Sequence, residues 1–161
     1  MRPINWCGKT RRGVELTERE NEKVVEKIID ALNRRDFEAY LTYFSDDVTF
    51  VMPSGRTVDK EWFRKELPIG SPASPDQKTS IDRMVSQGDM VWVESTITGT
   101  HTADWYGMPA FNKKFEYPSV AIYNFEAGKV KLAKTYWDRL RLFNQIQEKA
   151  VAEFWDKMMQ K

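Results

Sequence analysis

The sequence predicts an α+β fold in which a curved antiparallel sheet wraps on N-terminal helices. Three observations carry this. Met90–His101, Lys114–Phe125 and Val130–Trp137 read as three long strands in a row, joined by a loop at Thr102–Asn112 and a tight turn at Glu126–Lys129. Consecutive strands with short returns form an antiparallel meander. Helical stripes come before this meander and one long helical stripe follows it. A sheet bent over helices has a concave face that holds a small molecule.

The elements follow in chain order. Residues 1–16 hold Arg, Lys and Gly without a period and read as an irregular tail on which Trp6 is the one docking group. Thr17 and Glu20 fit a capping box. Behind it Val24, Val25, Ile28, Ile29 and Leu32 form one apolar stripe of a helix ending near Arg34. Asp36 caps a second helix with an aromatic face of Phe37, Tyr40 and Phe44, which Ser45-Asp46-Asp47 breaks. Val48–Pro53 reads as a short strand. Asp59 caps a third helix, Lys60–Leu67, that Pro68 ends. Pro68–Asp76, with three prolines and Gly70, is expected to be a mobile lid. Thr79–Ser86 is the strand that enters the meander through Gln87-Gly88-Asp89. The last helix starts at Asp138, and Leu140, Phe143, Ile146, Ala150, Phe154 and Met158 recur at three or four residues. The division expected is a tail at 1–16, one body at 17–147 and a helical extension at 148–161.

Composition narrows the function. The chain has 161 residues, enough for one domain with a real core. Lys plus Arg is 25 against 24 for Asp plus Glu, so no broad basic field exists for nucleic acid. A single cysteine, Cys7, excludes a disulfide framework and a multi-cysteine metal site, and one histidine is too few for a metal without carboxylates at suitable spacing. No cofactor and no metal is expected. No apolar run of about 20 residues is present, and the first ten residues carry no signal-like stretch, so a cytoplasmic protein without a membrane role is expected. Aromatic residues at 13% favour a lined pocket for a small hydrophobic molecule.

Several segments together resemble a known family. Residues 32–37 (Leu-Asn-Arg-Arg-Asp-Phe) with residues 43–48 (Tyr-Phe-Ser-Asp-Asp-Val) resemble the opening of the NTF2-like superfamily. Gly99-Thr100-His101-Thr102, Gly107-Met108-Pro109, Glu116-Tyr117-Pro118-Ser119 and Gly128-Lys129-Val130 resemble its SnoaL-like polyketide cyclase branch, also called ester cyclases. Asp138-Arg139-Leu140 with Gln145-Ile146 resembles the closing segment of that branch. The resemblance implies an NTF2-like cone, an α+β barrel, that dimerises through its outer sheet face. It also implies a cofactor-free pocket and acid/base chemistry on a hydrophobic carbonyl compound: cyclisation, isomerisation or elimination.

The family's acid/base Asp, counted from the Gly-Lys-Val turn, falls on Thr135 here. Asp138 is then a helix cap, or, in a rival register, the catalytic carboxylate. The Arg and Asp of epoxide-hydrolase relatives fall on Ser95 and Ile97. Alternation along strands carries these assignments further. Ser95, Ile97, Gly99 and His101 share one face, as do Ser119, Ala121 and Tyr123, and likewise Ala133, Thr135 and Trp137. Thr49 and Val51 join them by resemblance, and Trp62 and Trp105 are expected to close the mouth. His101, the sole histidine, is the acid/base candidate, because an unperturbed imidazole titrates near pH 6.5; the competing role is a hydrogen bond to a backbone carbonyl at the strand end. Tyr123 is a candidate donor to a developing enolate. The alternative is a non-catalytic ligand-binding or dimerisation module.

Overall fold

The computed structural model describes residues 11–147, with side chains from 17 onward. Trp6 and the Ala150, Phe154 and Met158 part of the last stripe lie outside the described residues. In order, the elements are α1 (Arg11–Asn33), α2 (Phe37–Thr42), β1 (Phe44–Val51), β2 (Thr57–Val58), α3 (Lys60–Gly70), β3 (Lys78–Gln87), β4 (Met90–His101), β5 (Lys113–Glu126), β6 (Lys129–Trp137) and α4 (Arg139–Ile146). The six strands make one open sheet in the order β2-β1-β6-β5-β4-β3, antiparallel except where β1 runs parallel to β6. Register shifts at Phe44/Thr49, Ile81/Arg83 and Asn124/Phe125 bend the strands.

The apolar stripe of α1 supplies the core. Val25, Ile28 and Ala31 are buried against Tyr40 and Leu41 of α2 and against Val91, Val93, Phe125, Val130 and Ala133 of the sheet. A second cluster forms where α4 folds onto the sheet: Leu142 and Ile146 bury Phe115 and Tyr117. Two carboxamides close free strand edges. Asn33 brackets Thr79, donating to its carbonyl and accepting from its N–H, both at 2.8 Å. Gln145 brackets Glu116 the same way, at 2.8 and 2.9 Å. Each amide stands in for a missing neighbour strand, so the backbone groups stay paired.

The three shorter helices start where carboxylates cap them. Asp36 accepts from Ala39 N at 3.0 Å, Asp59 from Trp62 N at 2.7 Å and Asp138 from Arg141 N at 3.0 Å. Other boundaries differ from the sequence reading. α1 begins at Arg11, so Thr17 lies inside it rather than capping it. β1 starts at Phe44: the ring is buried, while Asp46 and Asp47 turn outward to Lys60 and Lys131. α3 runs through Pro68, because the Ser71 N–H reaches back to the Leu67 carbonyl and closes the turn beyond it.

The segment expected as a lid is folded. After α3 it forms a short 3-10 turn, Ser71–Ala73, and Arg35 holds it. The guanidinium donates to the carbonyls of Ser71 (2.8 Å), Ser74 and Pro75 (3.0 Å). Arg35 itself has φ of +58°, the left-handed conformation that reverses the chain after α1.

A tryptophan-walled cavity at the mouth of the sheet

A cavity of about 530 Å³ opens where α1, α3, the turn between β1 and β2, and the loop after β4 converge. That volume suits a small organic ligand. One face of α3 forms its longest wall: Trp62, Phe63, Glu66, Leu67 and Gly70 recur at i, i+1, i+4, i+5 and i+8 and all line it. Leu32, Arg35 and Phe37 close the side toward α1 and α2. Met52, Ser54 and Arg56 come from the turn after β1. Trp105 and Tyr106 hang over the opening, and Trp137 with Arg139 joins at the end of β6.

The loop carrying Trp105 and Tyr106 is held in place by its own backbone. Trp105 and Met108 exchange both backbone hydrogen bonds, at 2.9 and 3.0 Å, and Asp104 accepts from Gly107 N at 2.9 Å. Gly107 takes φ of +88°, which a side chain would strain. At Gly70 a Cβ would stand 3.3 Å from the Tyr106 hydroxyl, so the absent side chain lets α3 and the loop meet. Tyr106 then donates to Glu66 at 2.6 Å. Partial burial, this hydrogen bond and the Glu66 charge push the phenol up to about 12, so it stays a proton donor. Glu66 is the one carboxylate among the described lining residues. At the rim, the Arg56 guanidinium lies over the Trp62 ring at 5.3 Å and that of Arg139 over Trp137 at 5.7 Å.

The structure brings Trp62, Trp105 and Trp137 together here, and it places the other expected site residues elsewhere. The strand alternation on β4 is as expected: Ser95, Gly99 and His101 are buried while Trp92 and Glu94 point out. Most of that concave face is occupied by protein. Ser95 pairs with Ser119 and Ile97 with Tyr117. Tyr117 packs on Trp137 at 5.0 Å between centroids, and α4 covers them. Tyr123 joins the core under α1. Ala121 and Thr135 pair with each other beside Val93, and none of the three lines the cavity. On β1 the expected face is reversed. Val48 and Phe50 are buried and Thr49 is exposed, with Val51 half-buried, because Phe50 inserts between Phe44 (4.9 Å) and Phe63 (4.1 Å).

Neither acid/base candidate from the sequence lines the cavity. His101 ends β4 with 2% of its surface exposed, 5.9 Å from the Phe111 ring, and neither ring nitrogen has a hydrogen-bond partner among the described residues. Asp138 caps α4 and faces a shallow groove with Pro53, Glu94 and Tyr136. Sequence reasoning passed over Glu66. Its signal was legible: an acidic residue inside an otherwise apolar helical stripe. Tyr106, Arg35, Arg56 and Arg139 carried no such signal, since their convergence depends on the fold.

The fold is shared with several proteins of solved structure. A putative SnoaL-like polyketide cyclase from Jannaschia sp. CCS1 superposes with a TM-score of 0.75, at 18% identity over 86% of this chain and 97% of that one. AclR, a putative hydroxylase from Streptomyces galilaeus, gives 0.73 at 20% identity over 80% and 85%. IdmH, a putative polyketide cyclase from Streptomyces antibioticus, gives 0.71 at 19% over 78% and 96%. At these identities the likeness shows the fold alone. No curated protein matches the sequence at a significant level. No helix among the described residues is long and apolar enough to cross a membrane. The profile of the SnoaL-like polyketide cyclases matches residues 17–146, and the chain therefore belongs to that family.

Proposed function

We propose that the protein binds a small, ring-bearing carbonyl compound in this cavity and catalyses proton transfer on it through Glu66 and Tyr106. The observation that carries this is a carboxylate, Glu66, hydrogen-bonded to a phenol, Tyr106, each the one of its kind among the described lining residues, in a cavity walled by three indole rings. Indole walls take a flat apolar body. The incoming carbonyl oxygen competes for the Tyr106 hydrogen bond, which frees Glu66. Glu66 removes a proton from the carbon beside the carbonyl, and the electron pair moves to the oxygen, where the phenol stabilises it. Return of that proton at another carbon gives isomerisation; attack by the enolate gives ring closure; loss of a leaving group gives elimination.

The test uses 2-tetralone in heavy water, with deuterium uptake beside the carbonyl followed by NMR. Uptake above the buffer rate is expected, with Glu66→Gln lowering it by about a hundredfold and Tyr106→Phe by about tenfold. Calorimetric binding without added uptake would overturn the catalytic part and favour a ligand-binding module, a reading supported by Thr135 standing where relatives place a carboxylate. A rate lost in His101→Leu or Asp138→Asn, in a stably folded variant, would move the chemistry away from Glu66.

A homodimer is proposed from the outer sheet face. Val85, Trp92 and Ile122 are register partners there, and Trp92 and Tyr136 are 47% and 52% exposed. Sedimentation of Trp92→Lys as a dimer equal to wild type would remove that face from assembly.

A further inference from the structure

We propose that the cavity selects an organic anion: a ligand with a flat ring body and one negatively charged group held at the rim by Arg56 and Arg139. This rests on the reading that the cavity takes a ring-bearing molecule, and it names the charge of that molecule.

Charge in the lining is unbalanced. Arg35, Arg56 and Arg139 face Glu66 alone. Arg35 is committed, since its donors are spent on three backbone carbonyls. Arg56 and Arg139 are not committed: none of the ion pairs among the described residues includes either one. The carboxylates beside them in sequence, Asp59 and Asp138, each cap a helix. Some other cations of this protein find carboxylates, as Lys60 does with Asp46 and Lys131 with Asp47.

Placement adds to the charge argument. Arg56 leaves the turn after β1, and Arg139 follows the end of β6; these two strands run parallel and side by side, with Val51 opposite Lys134. Both guanidinium groups therefore approach the rim from neighbouring strand ends. Each lies over a tryptophan that itself lines the cavity. An indole face holds the guanidinium plane in place while leaving its N–H edges free for an acceptor. Guanidinium edges match carboxylate, sulfonate and phosphate oxygens. Trp62 and Glu66 sit one turn apart on α3 and both line the cavity, with the Arg56 guanidinium over the Trp62 ring.

The experiment titrates the full chain with 2-naphthoate and with 2-naphthamide, which has nearly the same shape without the charge, by calorimetry at low and high salt. Naphthoate is expected to bind about tenfold tighter than naphthamide, and the difference is expected to shrink between about 20 mM and about 500 mM salt. Arg56→Gln and Arg139→Gln are each expected to remove a large part of the naphthoate advantage over naphthamide measured in the same variant. The salt comparison on the unmodified protein keeps the test independent of how the variants fold. Equal affinity for both ligands, insensitive to salt, would overturn the anion assignment while leaving the ring cavity intact. Binding of neither ligand would overturn the cavity reading on which it rests.

Discussion

Replacing Arg35 separates two effects that act in opposite directions. The residue adopts φ of +58°, a conformation that costs a side chain about 1 kcal/mol and costs glycine almost nothing. Its guanidinium also ties the 3-10 turn to the end of α1 through the carbonyls of Ser71, Ser74 and Pro75. Two of these bonds are half-buried and the one to Pro75 is exposed; hydrogen bonds from a charged donor contribute about 1 kcal/mol each or somewhat more, so the three together supply about 3 kcal/mol. Arg35→Ala keeps the backbone strain and loses all three bonds. For a chain of 161 residues, 1 kcal/mol corresponds to about 2–4 °C in Tm, so a fall of about 6–12 °C is expected. Arg35→Gly loses the same bonds but relieves the strain, and should melt about 3 °C above the alanine variant and still below wild type. Thermal unfolding by circular dichroism reads both. A glycine variant as stable as wild type would show that the guanidinium contributes nothing and refute the strap. An alanine variant within a degree or two of wild type would do the same.

Three further outcomes follow from the packing. Burial pushes the phenols of Tyr117 and Tyr123 up to about 12 and raises that of Tyr40 well above its ordinary value. The folded state then holds protons that the unfolded state has released above about pH 10, so stability is full below pH 10 and falls as pH rises toward 12. The slope is about 1.4 kcal/mol per pH unit for each such tyrosine, read by urea unfolding across that range, and Tyr117→Phe should flatten it; a stability independent of pH between 9 and 11.5 would contradict the burial. Gly99→Ala places a Cβ 2.6 Å from the Phe115 ring tip and 3.2 Å from the Gln77 Cα, and should cost about 1–3 kcal/mol in Tm-derived stability; no loss would mean that this corner of the sheet is loosely packed. His101→Leu removes two buried nitrogens that have no hydrogen-bond partner among the described residues and should leave Tm equal or higher, whereas a fall of several degrees would show that the imidazole is hydrogen-bonded.

Local patterns in the sequence were enough for the meander and the three aspartate caps, but not for Thr17, which α1 runs past. Met90–His101 is the observed β4 to the residue, because a long alternating run has one strong period and Gly88 and Asn112 bound it with turns. Asp36, Asp59 and Asp138 cap the helices they were assigned, since a capping carboxylate acts within its own three residues. The parallel pairing of β1 with β6 is not local, and nothing within Phe44–Val51 signals it.

The site was legible in a different proportion. Alternation tells which face a residue takes but not how deep along the sheet the open space lies. Ser95, Ile97 and Ser119 are on the concave side as expected, yet Tyr117, Trp137 and α4 cover that part. The cavity sits nearer the rim, built from residues that only the folded chain brings together: Arg35 after α1, Arg56 in a turn, Tyr106 in a loop. Trp62 and Trp105 were expected at the mouth and Trp137 on an inward face by alternation, and all three line this cavity.

The central claim is that the space between Trp62, Trp105 and Trp137 is where a ligand binds. The most direct test is the assigned indole N–H signals in an NMR titration with 2-naphthoate, with Trp92 on the outer face as the internal control. The signals of Trp62, Trp105 and Trp137 are expected to move together with a common affinity while that of Trp92 stays in place. Binding that moves Trp92, or that leaves the three wall residues unmoved, would contradict it.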